Sequence, residues 1–168
     1  MEKPKEKKNK VMVAIGDDDH SYKALMWTLD YVKELSSDYK LLIFASQPLP
    51  PNLTCNYTLA QGPFGVHHSV FSTPELMTSL LERNKKVALD LLEKAKKICL
   101  NYGVKAETIT EVGEPKEIIC NIVQKHNISL LVIGNNGGGS LKRVFQGSLS
   151  DYCMNNVKCP VLLVKGPN

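Results

Sequence analysis

No two cysteines are spaced C-x-x-C, although the sequence carries five, Cys55, Cys99, Cys120, Cys153 and Cys159. An odd, dispersed set argues against a disulfide framework and fits reduced thiols in a reducing compartment. The clustered Cys and His that a structural zinc needs are missing as well, because the adjacent His67 and His68 have no cysteine near them in sequence. No apolar run follows the lysines of MEKPKEKKNK before Val11, and none elsewhere approaches the ~20 residues that span a bilayer. Neither a secretory leader nor a membrane partner is therefore expected, and the chain is expected in the cytoplasm, with the nucleus also open to it. The sequons at Asn52, Asn56 and Asn127 are read as chance, since glycosylation requires the secreted route.

A large charge of one sign is also absent. The net charge of +4 divides unevenly: residues 2–10 hold five lysines against two glutamates, so the tail supplies +3 and the body is nearly neutral. A basic tail without interleaved aromatics reads as a solvated, disordered extension over residues 1–10, and nucleic acid is not an expected partner. Hydrophobic residues at 43% and charged residues at 23% are ordinary for a globular domain, which is placed at residues 11–166.

Within that domain short apolar runs alternate with helical stripes. VMVAI at 11–15, KLLIFAS at 40–46, LLVI at 130–133 and PVLLV at 160–164 are too short for helices and read as buried strands, and 104–112 alternates as a less buried edge strand. Helical spacing of apolar residues predicts helices from about Ser21 to Ser36 and from Thr73-Pro74-Glu75 to just before Gly103. Two more start at Gly113-Glu114-Pro115 and at Ser148, where Asp151 completes the S-x-x-D form of a capping box. Residues 47–73, rich in Pro, Gly, Asn and Thr, read as a long loop. Strands separated by helices imply a parallel sheet wrapped on both faces, a doubly wound α/β domain whose ligands bind beyond the carboxyl ends of the strands.

The loop after the fourth of these strands reads Gly134-Asn135-Asn136-Gly137-Gly138-Gly139-Ser140, and Gly147-Ser148-Leu149-Ser150 follows at a helix start. Glycines let main-chain amides approach a phosphate, and a helix N-terminus presents donors and partial positive charge to an anion. The alternative reading makes the glycines a tight turn and Ser148 a helix cap. A Walker A loop is absent, since no Gly-Lys-Ser/Thr follows, and so is the dinucleotide fingerprint G-x-G-x-x-G. Asp17, Asp18 and Asp19 cap the first helix in the plainer account and hold Mg²⁺ beside phosphates in the other. Lys142 and Arg143 either offset phosphate charge or are merely solvated. The four histidines show no base–nucleophile arrangement, and no catalytic residue is assigned.

Gly134, Gly137, Gly147 and Ser148 fill G-x2-G-x9-G-[ST], which resembles the ATP-binding signature of the universal stress proteins. The resemblance extends from VAIGDDDHS at 13–21 through LKRVFQGSLS at 141–150 to CPVLLVK at 159–165, and is strongest to the small single-domain members of plants. It implies a single Rossmann-like α/β domain with five parallel strands ordered 3-2-1-4-5. It also implies that an adenine nucleotide (ATP, or AMP or ADP, with Mg²⁺ as an optional companion) is bound at the switch point. By that similarity Gly134, Gly137, Gly138, Gly147, Ser148, Leu149 and Ser150 surround the phosphates and ribose, and Ala14, Ile15, Ala45 and Ile133 line the adenine slot. Gly16 stands where ATP-binding relatives place an aspartate, with Asp17 one residue later. A homodimer through Val161, Leu162, Leu163 and Val164 is a further implication, because those residues form a sheet edge. The expected function is a nucleotide-dependent switch or sensor in stress response. The alternatives are an interaction module that has weakened or lost nucleotide binding and, lesser, a slow ATPase.

Overall fold

A computed structural model describes residues 9–34, 39–50, 56–59, 66–69, 74–135 and 148–165, of which 56–59, 66–69 and 148 are described by their main chain alone. The elements are β1 (Asn9–Ile15), α1 (Asp19–Glu34), β2 (Tyr39–Gln47), β3 (Asn56–Leu59), β4 (Val66–Ser69), α2 (Pro74–Asn101), β5 (Ala106–Val112), α3 (Pro115–Lys125), β6 (Leu130–Asn135), α4 (Ser148–Asn156) and β7 (Val161–Lys165). Five strands form a parallel sheet in the order β5-β2-β1-β6-β7, which is the expected 3-2-1-4-5. The strand at 106–112 is an edge, as its weaker apolar pattern predicts, and β7 is the other edge.

Alternation along each strand sorts the core into two layers. Val11, Val13, Leu41, Ile43, Ala45 and Val132 pack under α1 and α2. Met12, Leu42, Phe44, Leu131 and Ile133 pack under α3 and α4. Phe44 is 1% exposed, and burying a side chain of that size stabilises the fold by about 2–3 kcal/mol. Thr28, buried on α1, donates its hydroxyl to the Ala24 carbonyl at 2.7 Å, so no polar atom is stranded there.

Helix ends follow local chemistry. After α2 the N–H of Gly103 donates to the Leu100 carbonyl and that of Val104 to the Cys99 carbonyl, the double bond of a Schellman cap, with Gly103 at φ +73°. The same pair of bonds closes α3, from Asn127 to Gln124 and from Ile128 to Val123, with Asn127 at φ 52°. Pro115 opens α3, where a missing N–H costs nothing.

Strand ends shift by one or two residues from the sequence reading, β6 running on to Asn135 through Gly134 and β5 starting at Ala106, and three further departures stand out. The segment 47–73, expected as a loop, contains the antiparallel pair β3 and β4, with Asn56 opposite Ser69 and Leu59 opposite Val66. Helix α1 starts at Asp19, not Ser21, because Asp18 takes the cap position and its Oδ1 accepts the Ser21 N–H at 2.8 Å. Strand β1 begins at Asn9, two residues inside the expected tail, because Lys10 is fixed by Ser129, whose N–H donates to its carbonyl at 2.8 Å. Residues 1–8 lie outside the described residues.

Candidate functional site

Strand β1 pairs with β2 on one side and β6 on the other, so the chain leaves β1 at the point where strand order reverses. The register sets Ile15 against Ala45, and Ala14 against both Phe44 and Ile133, which levels the three carboxyl ends. Gly16 follows β1, Gly134 is the penultimate residue of β6, and Ser148 opens α4. Ala14, Ile15, Gly16, Ala45, Ile133 and Gly134 are thus brought to one end of the sheet.

The four residues expected to line an adenine slot do not share a face. Ile15 and Ala45 belong to the layer under α1 and α2, Ala14 and Ile133 to the layer under α3 and α4. Ala45 is 1% and Ile133 6% exposed, so both serve the core, while Ala14 and Ile15 are half-buried at the sheet end. Leu149 packs against the α3–α4 core and Ser150 is half-buried in the first turn of α4. Gly137, Gly138 and Gly147, with Lys142 and Arg143, lie outside the described residues, as does the side chain of Ser148 on which the capping box rests.

The turn after β1 is organised by Asp18 and Ser21. Asp18 Oδ1 accepts the Ser21 N–H and Oδ2 accepts the Ser21 hydroxyl, both at 2.8 Å, while Ser21 Oγ accepts the N–H of Gly16 at 2.9 Å. Both oxygens of Asp18 are therefore engaged in capping α1. Asp17 and Asp19 are exposed. Among the described residues no group of three or more His, Cys, Asp and Glu side chains is arranged to hold a metal ion.

Gly134 is placed by close packing. A β-carbon there would meet the carbonyl carbon and oxygen of His20 at 2.5 Å and the amide nitrogen of Ser21 at 2.8 Å, all main-chain atoms. The end of β6 thus touches the first turn of α1. Sequence reasoning missed His20, whose Nδ1 is buried with no hydrogen-bond partner among the described residues. It also missed Ser21, for which the only available hint was its place in the first turn after the aspartates.

The remaining titratable groups of note are thiols. Cys99, in the last turn of α2, is buried against the sheet, and burial pushes its thiol up to about 11. Cys120, Cys153 and Cys159 meet in the α3–α4 layer. Burial, reinforced by Cys120 and Cys159, pushes Cys153 to about 12, and burial raises Cys120 and Cys159 as well. Thiols so disfavoured as thiolates are poor nucleophiles and serve as core apolar groups.

The sequence profile described as the universal stress protein family matches residues 64–165. A universal stress protein A-like protein of Arabidopsis thaliana is 31% identical over 144 residues, covering 85% of this chain and 77% of the relative. A Bacillus subtilis universal stress protein, YxiE, is 32% identical over 157 residues, covering 94% and 99%. Among solved structures, a universal stress protein family protein from Arabidopsis thaliana with AMP bound superposes with a TM-score of 0.64 at 27% identity, covering 95% of this chain and 92% of that one. The shared sheet order, the matching profile and the near full-length relatives lead to one conclusion: the chain belongs to the universal stress protein family.

Proposed function

We propose that this protein binds an adenine nucleotide, ATP or AMP, across the carboxyl ends of β1 and β6, and that the bound nucleotide makes it a switch or sensor in stress response. The observation that carries the reading is that Gly16 and Gly134 both abut the first turn of α1 at the switch point of the sheet, with Leu149 in the first turn of α4 packed into the layer that holds Ala14 and Ile133. Main-chain amides at the start of α4 supply donors for phosphate, and Nδ1 of His20, in the turn packed on Gly134 and without a hydrogen-bond partner among the described residues, is a polar atom that a ligand can satisfy. The AMP-bound Arabidopsis structure supports the choice of base. Gly137, Gly138, Gly147, Ser148 and Ser150 would surround the phosphates, with Mg²⁺ as a companion ion, and a homodimer through β7 would be the assembly the nucleotide regulates. The cytoplasm is the proposed location.

A second reading, an interaction module with weakened nucleotide binding, is favoured by one observation. The N–H of Gly16 is already taken by Ser21, and the neighbouring Asp18 carboxylate is spent on the helix cap, so neither is free for a base or ribose. Isothermal titration with ATP, AMP and GTP separates the two. Saturable binding of ATP and AMP, lost by at least tenfold, ~1.4 kcal/mol, in Gly137→Val or Gly147→Val, supports the first. Absence of saturable heat at millimolar nucleotide supports the second.

A further inference from the structure

A cleft of about 560 Å³ runs between α1 and α2 beside the carboxyl end of β1. That volume lies within the ~300–1,000 Å³ of small-molecule sites. Its floor is apolar, with Leu25 from α1 facing Leu91, Ala95 and Ile98 from α2. Those three α2 residues recur at i, i+4 and i+7, and Lys94 stands on the same stripe instead of on the polar back of the helix. Across the cleft the first turn of α1 and the residues before it bring Asp17, Asp19 and the half-exposed ring of Tyr22.

The charges along this cleft are of two kinds. Lys97 already pairs with Glu93 at 3.0 Å, and Asp18 is occupied by Ser21. Lys94, Asp17 and Asp19 have no ion-pair or hydrogen-bond partner among the described residues, and Lys94 does not reach either carboxylate across the cleft. A cation and two carboxylates thus face each other over an apolar floor without meeting. A lone anion there would leave Asp17 and Asp19 without a counter-charge, and a lone cation would leave Lys94 without one. The complementary molecule carries both charges on one apolar body.

We propose that the α1–α2 cleft binds an amphoteric small molecule, an amino-acid-like zwitterion with a flat apolar body. Its ammonium group meets Asp17 and Asp19, its carboxylate meets Lys94, and its body lies on Leu91 and Ile98 against Tyr22. Ile15, Gly16 and Asp17 border this cleft as well as the proposed nucleotide site, but the inference does not rest on nucleotide binding.

Four molecules with one shared body test it on the full chain by ligand-observed NMR titration: tryptophan, tryptamine, indole-3-propionate and indole. Tryptophan is expected to bind saturably and tighter than either singly charged probe by about threefold per missing ion pair, the size of a solvent-exposed pair. Lys94→Gln is expected to bring tryptophan down to the tryptamine level without weakening tryptamine. The double variant Asp17→Asn, Asp19→Asn is expected to bring it down to the indole-3-propionate level, with circular dichroism confirming that α1 persists. No binding of any probe, equal binding of all four, or tryptophan affinity untouched by Lys94→Gln overturns the inference. Displacement of tryptophan by AMP, with AMP itself weakened by Lys94→Gln, also overturns it, because the cleft would then be the nucleotide's own pocket. Tryptophan binding that persists where AMP fails to bind supports the cleft and tells only against the nucleotide reading.

Discussion

The end of β6 at Gly134 lies against the main chain of His20, so closely that a β-carbon on Gly134 would come within 2.5 Å of the His20 carbonyl. The obstructing atoms are backbone in the first turn of α1, which is fixed by its cap, so relief requires β6 and α1 to move apart. Gly134→Ala is expected to cost about 1–3 kcal/mol, as overpacking of a tight contact does. Urea unfolding without nucleotide measures this, and an unchanged midpoint would show that the contact yields freely. A stability loss in the absence of ligand would mean that the first glycine of the signature has a packing duty of its own.

Asp18 and Ser21 make a second testable unit. Asp18→Ala removes the acceptor for the Ser21 N–H and is expected to destabilise by ~1 kcal/mol, the usual worth of an N-cap. Restoring an aspartate at position 16 is not a simple repair. A β-carbon on Gly16 would lie 3.0 Å from Asp18 Oδ2, and a second carboxylate would be set beside the first. Gly16→Asp is expected to lower the melting temperature, and Gly16→Asp with Asp18→Asn to recover part of the loss. Equal melting temperatures for wild type and Gly16→Asp would show that Asp18 swings aside at no cost.

The sheet was legible because each buried strand is a short apolar run, and the alternation of Val11, Met12 and Val13 between two helix layers needs no long-range information. The small antiparallel pair at 56–59 and 66–69 was not, because turn-forming residues dominate that stretch and its pairing is a tertiary choice. At the candidate site the glycine spacing pointed to Gly134, but its contact with His20 depends on how β6 meets α1, more than 100 residues away in sequence. The cleft was invisible for the same reason, since Asp17 and Lys94 come to border one cavity only when α1 and α2 cover the same face of the sheet.

The thiols set an alkaline limit on stability. In the unfolded chain a cysteine ionises near 9.0, whereas in the fold Cys99 holds its proton to about 11 and Cys153 to about 12. Because the folded state binds the protons more tightly, their contribution is intact below pH 9 and is lost as pH rises from 9 through 11 and 12. Thermal melts should be level up to about the usual thiol range and then decline, with a shallower decline in Cys153→Ala. At pH 8 a disulfide reagent should leave Cys99 and Cys153 unlabelled in the native protein and label both in urea. Rapid native labelling of Cys153 would overturn the burial argument.

The free edge of β7 gives the sharpest test of assembly. Leu131 donates its N–H to the Pro160 carbonyl at 3.0 Å, which turns Pro160 toward β6. In a parallel ladder alternate residues address opposite neighbours, so Leu162 and Val164 also face β6, while the main-chain groups of Val161 and Leu163 face outward from the sheet edge. If a second copy pairs here, as the proposed dimer requires, the outward N–H of Leu163 is one of its bonds. Leu163→Pro deletes that N–H without touching the β6 ladder, as proline on an edge strand is tolerated to do. Leu163→Ala loses a comparable share of the half-buried side chain but keeps the N–H, and so controls for packing. Sedimentation over a range of concentrations is expected to give a dimer for wild type and Leu163→Ala, and a monomer, or a dimer weakened by about tenfold, ~1.4 kcal/mol, for Leu163→Pro. A wild-type monomer, or equal association of both variants, would rule out strand pairing at β7 as the dimer contact.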